Sequence, residues 1–455
     1  MCLPQNVRLI LVKTSRSAFQ YYPKLKVPHV LRYFAHGFDG VTSPTIATIM
    51  TPNPRQHCRL DSSTFSELPR TFRDAVQVTR ELGIQYLWID SLCIIQWNQE
   101  DWKHEATRME GVFASAYCTI AATSAVDSEA GFLKRNVSSE CVLAQDASGR
   151  RLYICADTDD SNNHVDIDDF DDHVEKAPLN TRAWVMQERA LSRRTIHFSG
   201  KQMYWECGEG VYCETLTRLQ SSLRKKFFML DSNFPDRLLK SGNRRTIEFI
   251  HSVFEDYSKR GLTIGTDRRV AISGLEARIA HARGCESRYG IFEQYLHRNL
   301  LWQRSEERTK PIEYGTWTVP SWSWMAYNGG IEFMDIPFGD VDWIDKLRFD
   351  KECELALIAD VGMFLDCTVQ PDGNQYAVLD FGGMKRGWIH YDVEESKNLR
   401  KIECVVAGKK SNKDVKEYYI LVVRPTKVDG KYRRVGVGLI QSDYVVRQRL
   451  NVRVL

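Results

Sequence analysis

Residues capable of chemistry cluster in two places along this sequence. Arg182-Ala-Trp-Val-Met-Gln-Glu188 sets two charged groups and a tryptophan within seven positions. If the segment is helical, Trp184 and Glu188 lie four apart on one face, as do Ala183 and Gln187. A glutamate beside an indole loses water, its pKa rises, and it becomes suited to acid/base work. Arg182 or Arg189 could hold an anionic group such as a phosphate. The plainer reading is a surface helix whose Trp184 packs inward and whose Glu188 pairs with an arginine. Asp90 ends the apolar run Tyr86-Leu-Trp-Ile-Asp90, where it could hold a ribose hydroxyl at a sheet edge or simply cap the next turn. Glu105 falls three residues before Arg108, so an intrahelical ion pair is its plain assignment.

The elements that must position these groups are readable from periodicity. Val7 to Val12 suits a short strand, and prolines then punctuate the chain as far as Pro54. Leu68-Pro69 opens a helix with Phe72, Ala75, Val76, Thr79 and Leu82 on one face and Gly83 at its end. A strand follows over Ile84 to Ile89. Asp101 is the expected N-cap of the next helix, whose apolar face is Trp102, Ala106, Met109, Val112, Phe113 and Ala116. Cys118 to Thr123 reads as another buried strand. Alternating helices and strands predict an α/β domain with a parallel sheet and covering helices over residues 1–215. Residues 216–330 read as a mainly helical extension, with Ile247, Ile250, Phe254 and Tyr257 at helical spacing and a second helix over Arg268 to Ile279. Pro320-Ser-Trp-Ser-Trp324 is expected to pack as an aromatic anchor. Residues 331–455 turn β-rich, in the runs Leu355–Ala359, Tyr376–Asp380, Ile402–Val406, Tyr419–Val423 and Val435–Ile440, with a hairpin turn at Asp429-Gly430.

Composition excludes several function classes. At 455 residues, with 43% hydrophobic and 27% charged side chains, this is a soluble, multidomain composition. A net charge of +3 demands no nucleic acid, and the short groups Arg224-Lys225-Lys226 and Arg244-Arg245 read as solvated faces. Twelve cysteines without a CxxC pair predict reduced thiols and no zinc site. The acidic stretch Asp157 to Glu175 lacks the glycine and final glutamate of an EF-hand, so it is expected to be a mobile acidic loop, not a calcium site. No membrane span, signal peptide, phosphate loop, metal or bound cofactor is expected, and the location is read as cytoplasmic.

Several motifs in order resemble the fungal heterokaryon incompatibility (HET) domain. They are Tyr86–Gln96, the helix carrying Asp101-Trp102, Glu105 and Met109, and Arg182–Glu188 followed by Leu191-Ser192 and Arg194. Tyr204-Trp-Glu-Cys207 is similar to the strand that closes that domain. Asp256-Tyr257-Ser258, Asp267-Arg268, Ala271-Ile272-Ser273-Gly274 and Pro320–Trp324 resemble the extension that commonly follows it. The chain departs from the family where a Leu-Ser-Tyr/His-x-Trp-Gly strand normally begins the domain; here stands Tyr33-Phe-Ala-His-Gly37-Phe-Asp-Gly40. The resemblance implies a TIR-like sheet and a role in non-self recognition and programmed cell death, with other incompatibility or signalling proteins, or a second copy, as partners. By analogy with NAD-cleaving TIR enzymes, it implies Glu188 as catalytic residue, NAD as substrate, and Asp90, Arg182, Trp184 and Glu105 as its binding groups. The other implied role is a non-catalytic scaffold.

Overall fold

The computed structural model describes residues 9–13, 32–33, 48–50, 57–59, 62–84, 86–94, 98–134, 141–145, 151–155, 167–214, 218–219, 238–305, 310–315, 318–393, 402–410 and 416–455. The chain forms two compact units, Met1–Phe234 and Pro235–Leu455.

The first unit is built on strands β1 (Leu9–Lys13), β2 (Tyr86–Ile89), β3 (Cys118–Ala121) and β4 (Arg194–Phe198). They run parallel in the order 2-1-3-4. Strands β5 (Met203–Cys207) and β6 (Gly210–Cys213) extend the β4 side antiparallel. The element that precedes the first helix and takes the centre of the sheet is therefore Leu9–Lys13. Of Tyr33–Gly40 only Tyr33 is described, in a small antiparallel sheet with Thr48–Met50 and His57–Arg59.

Helix α1 (Arg70–Glu81) leads into β2 and buries Phe72, Ala75, Val76 and Thr79. Leu82 lies past the helix end and is exposed, and Gly83 takes the left-handed φ of +64° that ends it. Helix α2 (Gln99–Ser115) leads into β3, and α3 (Ala183–Leu191) into β4. Right-handed crossovers place α1 on one face of the sheet and α2 and α3 on the other. Trp88 of β2 meets Phe113 of α2 edge to face at 5.9 Å.

The cap of α2 differs from the expectation. Asn98, not Asp101, holds the N-terminus, its Oδ1 accepting from the amides of Glu100 (3.0 Å) and Asp101 (3.1 Å). Asp101 sits in the first turn, where its charge opposes the helix dipole favourably. Asn98→Ala is expected to lower the stability of the first unit by about 1 kcal/mol in a denaturant titration, whereas Asp101→Asn should cost about half that or less.

The second unit opens with helices α4 (Gly242–Lys259) and α5 (Val270–Arg283). Ile247, Ile250, Phe254 and Tyr257 are all buried, as their spacing predicts. A short pair, β7 (Trp302–Arg304) with β8 (Ile331–Phe333), comes next. The β-rich region is one ten-stranded sheet. Its principal strands are β9 (Arg348–Phe349), β10 (Leu357–Phe364), β11 (Gln375–Asp380), β12 (Lys385–Tyr391), β13 (Glu403–Lys410), β14 (Glu417–Pro425), β15 (Lys431–Gln441) and β16 (Val445–Val454). The pairings β10–β13, β13–β14, β14–β15, β15–β16 and β16–β10 close a ring, so these five strands form a small barrel. Ile402, Cys404, Ile420, Val422, Val435 and Ile440 belong to one buried core cluster of this region. Gly430, at φ +71°, makes the expected turn between β14 and β15. Pro320–Trp324 is an anchor in the literal sense. Trp322 and Trp324 are fully buried, Trp322 donates to the Leu355 carbonyl at 3.1 Å, and Ser323 donates to the Tyr289 carbonyl at 2.7 Å.

Candidate functional site

Strand order reverses between β1 and β3, and doubly wound sheets bind ligands outside the carboxyl ends of the strands at such a point. The N-termini of α1, α2 and α3 lie at this edge, because each helix runs antiparallel to the strand it precedes. The loop leaving β3 is fixed there by the first turns of α1. Asp74 accepts from the amides of Phe132 (2.7 Å) and Leu133 (3.1 Å). Thr71 donates to the Asp127 carbonyl at 3.0 Å and accepts from the Gly131 amide at 3.1 Å.

Asp90 follows directly on β2 and opens a short turn over Asp90–Cys93. Its Oδ1 accepts from the amide of the next residue, Ser91, at 2.6 Å, and the turn itself carries no side-chain cap. Burial raises the Asp90 pKa, and the positive charge of Arg182 works against that rise. The charges of Arg182 and Asp90 thus act on each other. Arg182 is the half-buried residue at which the chain turns from the 3-10 segment Pro178–Thr181 into α3. Trp184, one residue into α3, meets Trp102 of α2 edge to face at 6.4 Å. This pair fixes the two helices against each other at their edge-facing ends.

Glu105 and Glu188 sit deeper. Glu105 lies one turn into α2 and is buried, held by Arg108 at 3.1 Å and His104 at 3.2 Å. Its expected ion pair with Arg108 is present, but on the covered side of the helix. Glu188 is 7% exposed and sits one turn beyond Trp184 on the same face of α3. Its carbonyl accepts from Ser192 Oγ at 2.6 Å, and that hydroxyl also bonds Thr119 Oγ1 of β3 at 2.7 Å. Helix α3 is covered on nearly every side, with Trp184 its one half-buried position. A surface helix is therefore the wrong description of it.

Arg189 is committed to a different centre. Its guanidinium makes paired bonds to Glu206 (2.8 and 3.0 Å) and to Glu175 (2.9 and 3.0 Å). Glu206 also accepts from His197 Nε2 at 2.7 Å, and the other ring nitrogen lies 3.4 Å from Thr123 Oγ1. Phe170 covers the cluster, with Arg189 over its ring and His197 against its edge. Burial would raise the Glu206 pKa, but Arg189 and His197 overcome it and hold the carboxyl down at about 2. With both carboxylates bound in this way, Arg189 is not the phosphate holder its sequence position suggested. Glu175, read as part of a mobile acidic loop, is ordered against it; residues 156–166 of that loop lie outside the described residues. Sequence reasoning missed this network. Its one visible signal was Glu206 at the same strand phase as the inward Tyr204, a place where a carboxylate requires a cation.

Among the described residues no His/Cys/Asp/Glu group could hold a metal ion. None of the described helices is long and apolar enough to cross a membrane. No curated protein and no solved structure matches the chain. Residues 42–188 match the family model described as heterokaryon incompatibility protein (HET). That span contains β2, β3, α1, α2 and Asp90, Glu105, Arg182, Trp184 and Glu188, with Glu188 its last residue. Over residues 42–188 the chain is therefore similar to the heterokaryon incompatibility (HET) family.

Proposed function

We propose that this protein acts in fungal non-self recognition and the cell death that follows, and that its TIR-like first unit cleaves NAD at the carboxyl edge of the sheet. What supports the reading is the electrostatic effect of Arg182 on Asp90 together with the Trp102/Trp184 pair, with Glu188 one turn further along the Trp184 face. In this reading Arg182 faces the pyrophosphate, Asp90 a ribose hydroxyl, and the indoles the flat ring. The C1′–N bond breaks with its electron pair leaving on nicotinamide. The Glu188 carboxylate stabilises the oxocarbenium-like centre, water adds to C1′, and its proton passes to solvent. The products are nicotinamide and ADP-ribose. Incubating the purified full chain with NAD is expected to release nicotinamide, with Glu188→Ala slowing release on the order of a hundredfold or more. Equal release by the two proteins removes Glu188 from the chemistry, and no release by either removes the enzyme.

The near-complete burial of α3 favours a second reading, a scaffold that assembles with signalling proteins or with its own copies. Under it, Glu188→Ala keeps cell-death activity in a fungal expression assay and substitutions on the unit's surface abolish it.

A further inference from the structure

The basic residues near the C-terminus are interleaved with apolar ones, so no run announces them. The last 32 residues, Arg424–Leu455, nevertheless hold eight Lys/Arg against two Asp/Glu, within a chain of net charge +3. Strand pairing gathers them. Arg348 of β9, Ile358 of β10, Arg453 of β16 and Lys431 of β15 are neighbours in register and form one row across the sheet. The adjacent row, Phe349, Leu357, Val454 and Tyr432, is buried throughout. The cationic row therefore lies on the opposite face of these strands, and at this end of the barrel Arg348 is exposed. Two positions along β15, Arg433 is exposed and directly opposite Arg424 of β14. Like charges set opposite one another in a sheet repel. The nearby acids Asp350, Glu352 and Asp429 are taken up by Arg453 and Arg449.

Two aliphatic side chains project beside this face. Val428, at the tip of the β14–β15 turn, is 54% exposed, and Leu450 is 62% exposed. Leu450 sits on a bulge in β16, where Asn451 takes φ +54° and its amide is held by Asp360 at 3.1 Å. The turn and the bulge are tied together by Arg449–Asp429 at 3.0 Å and by the Arg453 amide on the Gly430 carbonyl at 3.0 Å. Rigid backbone thus presents two apolar tips within a cationic rim.

We propose that this end of the C-terminal barrel docks on an anionic lipid bilayer surface. Lys427, Lys431, Arg433 and Arg348 would meet the headgroups, and Val428 and Leu450 would enter the interface. Such a surface takes both kinds of side chain at once. A nucleic acid duplex would leave the aliphatic tips without a partner, and among the described residues no aromatic is exposed there to stack on single-stranded bases.

The test is sedimentation of the full chain with phosphatidylcholine vesicles, with and without phosphatidylserine. Binding is expected only with phosphatidylserine and is expected to weaken as salt is raised. Lys431→Glu with Arg433→Glu should weaken it on the order of tenfold or more. Lys427→Glu, on the exposed turn, gives the same direction without touching a strand, and Leu450→Ser should weaken it several-fold. Absence of binding to phosphatidylserine vesicles overturns the proposal, as does binding that all these substitutions leave unchanged. Retention on duplex DNA or polyglutamate without vesicle binding overturns it in favour of that partner.

Discussion

Arg189→Met is expected to unfold the first unit at temperatures where the unsubstituted chain is folded. The substitution leaves Glu206 and Glu175 facing each other in a site that is nearly closed to water, with Glu206 only 3% exposed. Removing one partner of a buried pair typically costs about 3–5 kcal/mol, since the remaining charge is uncompensated. Here two carboxylates lose their guanidinium partner at once, Glu206 keeping the bond from His197, so the upper end of that range applies. Circular dichroism of Arg189→Met should show a loss of at least about 10 °C in the melting of this unit, given a shift of about 2–4 °C per kcal/mol at this size. Arg189→Lys should recover only part of it, because an ammonium cannot serve two carboxylates with two paired bonds. A melting temperature unchanged by Arg189→Met would mean that the network does not hold the unit together.

The same cluster makes stability fall with acid. Glu206 is held at about 2 in the folded chain, against a starting value of 4.5. A depressed folded-state pKa contributes stability that is fully present above the unfolded value and is lost as pH falls through the folded one. The first unit should therefore lose stability between about pH 5 and pH 2. Glu206→Gln should flatten the Glu206 share of that slope, at the cost of a lower stability near neutrality.

What the sequence revealed and what it hid divide along sequence separation. The run ending in Asp90 and the face of α1 are local patterns, and Leu87, Trp88, Ile89, Phe72, Ala75, Val76 and Thr79 are buried as their periodicity required, while Leu82, past the helix end, is not. The alternation of Val435–Ile440 likewise marked β15, and Asp429-Gly430 its turn, because a positive φ needs a residue without steric penalty. Asn98 was missed in favour of Asp101 because both residues are good caps; three positions of helix start separate them, a choice that backbone hydrogen bonding makes and composition does not. The central place of Leu9–Lys13 is a long-range fact, since its partners are β2 and β3, more than seventy residues away. So is the Arg189 centre, which draws on Glu175, His197 and Glu206 from three separate elements. The effect of Arg182 on Asp90 spans ninety-two positions, and only the family resemblance suggested it beforehand. The burial of Glu188 was legible only as the less favoured of two readings: a nine-residue helix with two arginines and a glutamate near it scans as half exposed.

The second large effect is expected in the other unit, from Arg434→Leu. Arg434 and Asp392 are both wholly buried and joined by two bonds of 3.0 Å. The remaining guanidinium donors reach the carbonyls of Leu300 and Trp302, and the group lies 3.6 Å from the centre of the Trp302 ring. One arginine of β15 thus ties the barrel to β7 and, through its backbone amide on Ser321 at 2.8 Å, to the Pro320–Trp324 segment. Burial raises the Asp392 pKa and Arg434 opposes the rise, so the aspartate depends on this partner to stay charged. Arg434→Leu removes five donors at once, orphans a buried carboxylate and two carbonyls, and is expected to cost about 3–5 kcal/mol. Without Arg434 the buried Asp392 takes up a proton more readily, so the variant should regain part of its stability as pH falls. The double substitution Arg434→Leu with Asp392→Leu should be less damaging than Arg434→Leu alone, because it strands no charge. Measuring both variants in one denaturant series separates the two contributions: if the double is as unstable as the single, the orphaned carbonyls and the lost contact with Trp302 carry the effect, and if it recovers by 2 kcal/mol or so, the unpaired carboxylate does.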